Sequence, residues 1–151
     1  IYNINNLAQL FQAGAAAVKA VDPSVVIMLH VALGGQNDES VFFIDNMLAR
    51  HVQFDVIGES YYPKWHGTIE DLRDNLNDLV RRYGKDVIVV EYSAFKEEVN
   101  KIAFELPDGK GKGTCIWEPL NTWEAVFDKE GKANDRLAVY DELSKRFLLN
   151  P

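Results

Sequence analysis

The residues best suited to chemistry stand at the ends of short apolar runs. Val87-Ile88-Val89-Val90 leads into Glu91-Tyr92, and the run before Trp117-Glu118-Pro119 ends on an aromatic ring and a second carboxylate. Two further segments add to the set: His30 with Gly34-Gly35-Gln36-Asn37, and Gly58-Glu59-Ser60-Tyr61-Tyr62-Pro63-Lys64-Trp65-His66-Gly67. Flat apolar rings stack on the C–H faces of sugars, while carboxylates and imidazoles hydrogen-bond their hydroxyls. The mixture therefore suits a carbohydrate better than a phosphate or a hydride cofactor. Glycoside hydrolysis needs two carboxyl groups, one acting on each side of the glycosidic bond, and Glu91 is a candidate for one of them.

Each residue also has a plainer reading. A glutamate after a strand can simply mark its exit into solvent. His30 fits a satisfied strand-end histidine as well as a substrate contact. Trp65, in a polar loop with Lys64 and His66, is the better platform; Trp117 could be core, and Trp123 stays open. Glu118 could bind substrate or hold a nearby Arg or Lys. Strand alternation puts Glu59 on the opposite side from Gly58 and Ser60, which favours a structural ion pair. His51 follows a helix and is assigned to the surface or to a C-terminal cap. Gly34-Gly35 lacks the third glycine and the acid of a dinucleotide site, and His30, His51 and His66 lack the spacing of a zinc site. Neither a cofactor nor a metal is expected.

These strand ends need a scaffold. Leu7, Leu10, Phe11 and Val18 recur at helical spacing after a cap at Asn3 or Asn5, and Asp22-Pro23 ends the pattern. Strands are predicted over Val25–Val31, Phe54–Ser60, the Val87 run and Thr114–Trp117. Helices are predicted over Ser40–Arg50, from Thr68 to Gly84, around Phe95, Val99, Ile102 and Leu106, and around Leu137, Tyr140 and Phe147. Thr68 with Asp71 makes a near capping box, and Ile69, Leu72, Leu76, Leu79 and Tyr83 form one stripe. A helix followed by four strand-helix units implies a parallel sheet, either doubly wound or part of an eight-stranded barrel, with the binding face at the strands' C-terminal ends. A leading helix with no strand before it suggests that the chain starts in mid-fold.

The 151 residues, 47% of them hydrophobic, suit one domain of ordinary size. A net charge of -7 disfavours nucleic acid and anionic membranes, and no apolar run approaches the roughly 20 residues of a bilayer span. The lone Cys115 sits in a short apolar segment and is expected to be a buried thiol.

Taken in order, His30 with Gly35-Gln36-Asn37, Asp55-Val56-Ile57-Gly58, Ser60-Tyr61-Tyr62-Pro63, Trp65-His66-Gly67, Val90-Glu91 and Trp117-Glu118-Pro119 resemble glycoside hydrolase family 53, the endo-β-1,4-galactanases. The resemblance implies a (β/α)8 TIM barrel, of which residues 1–151 would hold the fourth helix through the eighth. It also implies a retaining mechanism with Glu91 as nucleophile on the seventh strand, and a cleft lined by Tyr62, Trp65, His66, Trp117 and Glu118. The family's acid/base glutamate follows an asparagine on the fourth strand, and no Asn-Glu pair occurs here. Glu59 stands where the family more often has an apolar residue, and Gln36 replaces an aspartate. The Tyr92–Thr114 segment is short for the sometimes calcium-binding connection of the galactanases, so no calcium site is inferred. The implied partners are a galactan-type polysaccharide and the other half of the barrel, supplied separately or replaced by self-association; the implied location is secreted or periplasmic. An inert structural or sugar-binding half-barrel is the alternative, and a flavodoxin-like domain, lacking a phosphate loop, is the third.

Overall fold

The structure is a computed structural model that describes residues 3–120 and 123–149. Helix α1 (Ile4–Val21) is capped by Asn3, whose side chain accepts from the Asn6 N–H at 3.1 Å, and it stops at Asp22. Of its predicted stripe, Leu7 and Phe11 pack on the core beside buried Ala8, whereas Leu10 and Val18 are exposed. Four strands follow: β1 (Met28–Val31), β2 (Val56–Tyr61), β3 (Asp86–Tyr92) and β4 (Gly111–Ile116). They form one parallel sheet in chain order, β1-β2-β3-β4. Between them run α2 (Asn37–Ala49), the short α3 (Pro63–His66), α4 (Ile69–Tyr83) and α5 (Lys96–Phe104); α6 (Ala138–Phe147) closes the chain.

β1 starts three residues later than predicted because Val25 turns back on Asp22, and the Ile27 N–H is taken by the Asp55 carboxylate, which accepts it at 2.8 Å. α2 starts three residues early, where Asp38 and Glu39 suit the positive end of its dipole. α4 carries the complete capping box: Thr68 Oγ1 accepts from the Asp71 N–H, the Asp71 carboxylate accepts from the Thr68 N–H, and Gly84 ends the helix in the left-handed region. β4 begins at two glycines that resemble a loop in the sequence. A Cβ on Gly111 would lie 1.5 Å from the Ala103 carbonyl oxygen, so only glycine lets the strand pass this close to α5.

The sheet has two unlike faces. Leu29, Val31, Ile57, Tyr61, Val87, Val89 and Tyr92 face the helices and join Ile44, Met47, Leu72, Leu76, Leu79, Val99 and Ile102 in the core. Each such side chain contributes about 1.5–3 kcal/mol by leaving water. The Tyr92 hydroxyl is the hub of a polar cluster, 2.7 Å from that of Tyr140 and accepting from Asn100 Nδ2 at 2.9 Å and Thr114 Oγ1 at 3.2 Å. That cluster ties α6 to β3, β4 and α5. The opposite face carries Met28, His30, Gly58, Ser60 and Glu91. Cys115, next to inward-facing Thr114 on the edge strand, turns to this open face and is exposed, which corrects the buried thiol.

Candidate active site

The bond pattern between β2 and β3 decides where Glu91 points. Glu59 pairs with Val89, but Ser60 pairs with Glu91, so Val90 is an extra residue on β3. Side chains alternate along a strand, and without this bulge Glu91 would lie on the helix-facing side. With it, Glu91 stands beside Ser60 on the open face. Gly58 makes the room: a Cβ there would come 2.9 Å from the Val90 Cγ1 atom and 2.6 Å from the Met28 sulfur.

Around Glu91 the strand ends converge. Tyr62 donates its hydroxyl to Glu91 Oε2 at 3.2 Å, and His30 Nε2 lies 4.0 Å from Oε1 and 2.6 Å from Ser60 Oγ. The Tyr62 phenol is pushed well above its ordinary range, first by burial, then by the Glu91 charge and hydrogen bond, with Glu118 adding to it. Tyr62 is thus a fixed donor through the whole working range of a protein, and Glu118 is near enough for its charge to be felt. Glu118 itself has φ 41°, a left-handed conformation that is rare outside glycine and is found at constrained sites.

The β2 end is braced from two sides. Pro63 starts α3, a single turn in place of the predicted polar loop; Trp65 and His66 both close on the Tyr62 carbonyl at 2.9 Å. His66 is buried: its Nδ1 accepts from the Tyr62 N–H at 3.1 Å and lies 2.9 Å from the Ser60 carbonyl oxygen, with its ring edge-on to that of Tyr62. His66 therefore supports Tyr62 through its ring and the Tyr62 N–H. From the β1 side, the Gly34 N–H donates to the Ser60 carbonyl at 2.9 Å, and Gln36 Nε2 donates to the Trp65 carbonyl at 2.9 Å. A Cβ on Gly35 would sit 1.9 Å from the His66 carbonyl oxygen, so the loop lies directly on the α3 turn.

The tryptophans are surface rings: Trp65, Trp117 and Trp123 are 56%, 44% and 71% exposed. Trp65 and Trp123 share a cleft of about 490 Å³ with Tyr62, Pro63, Lys64, Ser93 and Ala94. Trp117 follows β4, its N–H donating to the Tyr92 carbonyl at 2.8 Å. The segment carrying Trp123 is held by Glu124, whose carboxylate accepts from the buried Lys96 ammonium at 2.9 Å. Another hollow, bounded by Gln12, Lys19, Ile27, His51 and Asp55, lies at the strands' other end, away from these carboxylates.

Sequence reasoning passed over Ser60 and Gln36 as site residues and left Trp123 open. Ser60 was within reach, since alternation puts it on the face of Gly58. Gln36 and Trp123 act through contacts across 29 residues or more, or through a loop with no periodic signal. Glu59 was assigned an ion pair and has none; it is fully buried and neither carboxyl oxygen has a hydrogen-bond partner. His51 adopts φ 58° just past α2 and donates its N–H to the Leu48 carbonyl, a helix-ending residue at the surface.

A parallel sheet with a carboxylate at a strand's C-terminal end, flanked by aromatic rings, defines an α/β protein whose site lies at the strand ends. Comparison with known proteins specifies the family. The family model Glycosyl hydrolase family 53 matches residues 1–103. The endo-beta-1,4-galactanase of Bacillus subtilis (strain 168) is 31% identical, covering 84% of this chain and 28% of that protein. The arabinogalactan endo-beta-1,4-galactanase of Humicola insolens is 35% identical, covering 93% of this chain and 55% of that one. Among solved structures, the Ignisphaera aggregans GH53 catalytic domain superposes with TM-score 0.81 at 27% identity, covering 91% of this chain and 53% of the other. The chain belongs to glycosyl hydrolase family 53. It spans about half or less of the length of these relatives, and its fold is a partial TIM barrel.

Proposed function

We propose that residues 1–151 are the second half of the catalytic domain of a retaining glycoside hydrolase acting on β-1,4-galactan or a related β-galactoside polysaccharide, with Glu91 as nucleophile. The observation that carries this reading is the bulge at Val90, which aims Glu91 at the open face within reach of Tyr62. In a retaining mechanism the Glu91 carboxylate attacks the anomeric carbon while an acid protonates the departing sugar oxygen. Water then releases the glycosyl-enzyme ester, the acid now acting as base. The Tyr62 hydrogen bond fixes the attacking oxygen's orientation. Trp65 and Trp123 stack on neighbouring sugars, while His30, Trp117 and Glu118 contact the sugar nearer the reacting carbon.

The acid must stand roughly 5 Å from the nucleophile. It is assigned to the preceding strands of the barrel, since the sequence holds no Asn-Glu pair, and these 151 residues alone would then not turn over substrate. The galactanase relatives favour galactan as substrate; a secreted or periplasmic setting is part of the same proposal. The test is β-1,4-galactan hydrolysis by a complete barrel carrying this half: Glu91→Gln abolishes turnover with folding intact, and a variant that keeps its activity overturns the assignment.

A second reading has its own observation. Met28, Cys115 and Trp117 leave the open face uncovered, as an inert half-barrel that self-associates or binds sugar would require. Native mass separates the two readings. A complex with a second segment supports the enzyme, and a simple multiple of 17.1 kDa supports the inert module.

A further inference from the structure

Among the described residues, Glu59 is the fully buried carboxyl group, and no part of this reaction uses it. In register it lies between Val31 of β1 and Val89 of β3, both buried. Ser40 of α2 and Asn75 of α4, also fully buried, lie close on its helix side and weakly favour its charged form, but neither makes a well-formed hydrogen bond to its carboxyl oxygens. The remaining charged groups of these helices point elsewhere. Asp38 and Glu39 of α2 line an acidic hollow with Asp71, Asp74 and Asp78 of α4. Arg73, Arg81 and Arg82 are exposed on the outside of α4, Arg82 being paired with Asp78. Asp45 of α2 and Glu70 of α4 are exposed as well, and among the described residues no cation acts on Glu59. An isolated buried carboxylate is so costly that the group takes up a proton instead.

The neighbours of Glu59 connect it to the site. Asn75 Nδ2 donates to the Gly34 carbonyl at 2.7 Å and to Ser40 Oγ at 3.2 Å. Gly34 in turn donates to Ser60, and Gln36, two residues on, holds the Trp65 carbonyl. A neutral Glu59 leaves the Asn75 hydrogens to Gly34 and Ser40. A charged Glu59, the strongest acceptor within reach, would compete for them and loosen the loop from beneath.

We propose that Glu59 is held as a neutral carboxylic acid and acts as a positioning residue, keeping the Gly34–Gln36 loop, and through it Trp65, in place until it ionises. Burial, partly offset by Ser40 and Asn75, raises its pKa to about 8, which puts the release within an accessible alkaline range. The proposal concerns where Trp65 sits, whatever that ring binds, so its failure and a failure to cleave galactan are separate results.

The test uses the whole chain with Trp117→Phe and Trp123→Phe, leaving Trp65 as the sole tryptophan, excited selectively over the tyrosines. Its emission is followed from pH 6 to pH 10 with Glu59 or Glu59→Gln, alongside infrared spectra of the un-ionised carboxyl band. The expected result is a band present at pH 7, absent from the Gln variant, and lost near pH 8 together with a shift in Trp65 emission. The Gln variant, isosteric with the neutral acid, should show no such shift. Absence of the band at pH 7 overturns the proposal, as does an emission shift that persists in Glu59→Gln. Should that variant not fold, the band and emission of the Glu59 protein decide alone, because every exposed carboxyl has ionised well below pH 8.

Discussion

The Tyr62 hydroxyl donates to Glu91 Oε2 at 3.2 Å, across two strand ends whose residues lie 29 positions apart in sequence. A hydrogen bond to a charged group contributes about 1.5–3 kcal/mol. If it fixes the nucleophile, Tyr62→Phe in a complete barrel lowers kcat/KM roughly ten- to hundredfold. Steady-state assays on galactan check this, and a loss confined to KM would show that Tyr62 binds sugar without orienting Glu91.

Trp65 and Trp123 share the cleft beside Tyr62, and neither is needed by the core. Replacing either with Ala should weaken galacto-oligosaccharide binding by about 0.5–1.5 kcal/mol, with little change in melting temperature. Titration calorimetry on the single variants measures it; unchanged affinity in both would remove the cleft from the binding surface.

Lys96 is buried and its ammonium is shared between the Ser93 carbonyl at 2.6 Å and Glu124 at 2.9 Å. Glu124→Ala leaves that charge without its counter-ion and is expected to destabilise the fold by roughly 3 kcal/mol. The change should also free the Trp123 segment, seen as increased quenching of Trp123 emission. Lys96→Met, which removes the buried charge as well, should cost less stability than Glu124→Ala; the reverse order would refute the account.

The Thr68–Asp71 box supplies a cap and an acid limb. Thr68→Ala removes the acceptor for the Asp71 N–H and should cost about 1 kcal/mol in urea denaturation. The hydrogen bonds from the Thr68 N–H and hydroxyl hold the Asp71 carboxyl below its ordinary value of 3.8. A depressed carboxyl contributes stability that is complete above its unfolded value and lost as pH falls through the folded one. Melting temperature should therefore fall below about pH 3.8 less steeply in Asp71→Asn than in the parent. Glu59 works in the opposite direction, since its raised pKa means stability declines as pH climbs from about 4.5 to about 8. A profile in which Glu59→Gln flattens the decline between about pH 4.5 and about 8, and Asp71→Asn the fall below about pH 3.8, is the expected result.

Gly111→Ala places a methyl 1.5 Å from the Ala103 carbonyl and must push α5 off β4. A cost of about 1–3 kcal/mol is expected, with no left-handed strain involved. Gly84→Ala is its control: a Cβ there meets nothing, and the cost comes only from φ 62°.

Much of the fold was legible because it is periodic. The α4 stripe, its cap and its glycine stop are local signals, and so is the β-branched run of β3; both appear where expected. What escaped depends on contacts between distant segments. β4 was placed three residues late because Gly111 and Gly113 serve close packing against α5, a demand that two glycines in a sequence do not distinguish from a turn. The place of Glu91 at a strand end is legible in the sequence, but the bulge that turns it to the open face is a property of pairing with β2, invisible in either strand alone. Glu59 misled in the usual way for a buried acid: its residue type suggests a charge needing a partner, whereas its surroundings favour the uncharged form.

Strand order equals chain order throughout the sheet. Each strand therefore docks on the one made just before it, and no later segment must thread between strands already joined. The loops to be closed stay short and alike, which limits the entropy each docking step must overcome. Assembly can therefore proceed in one direction along the chain, each added unit extending the sheet without rearranging its predecessors.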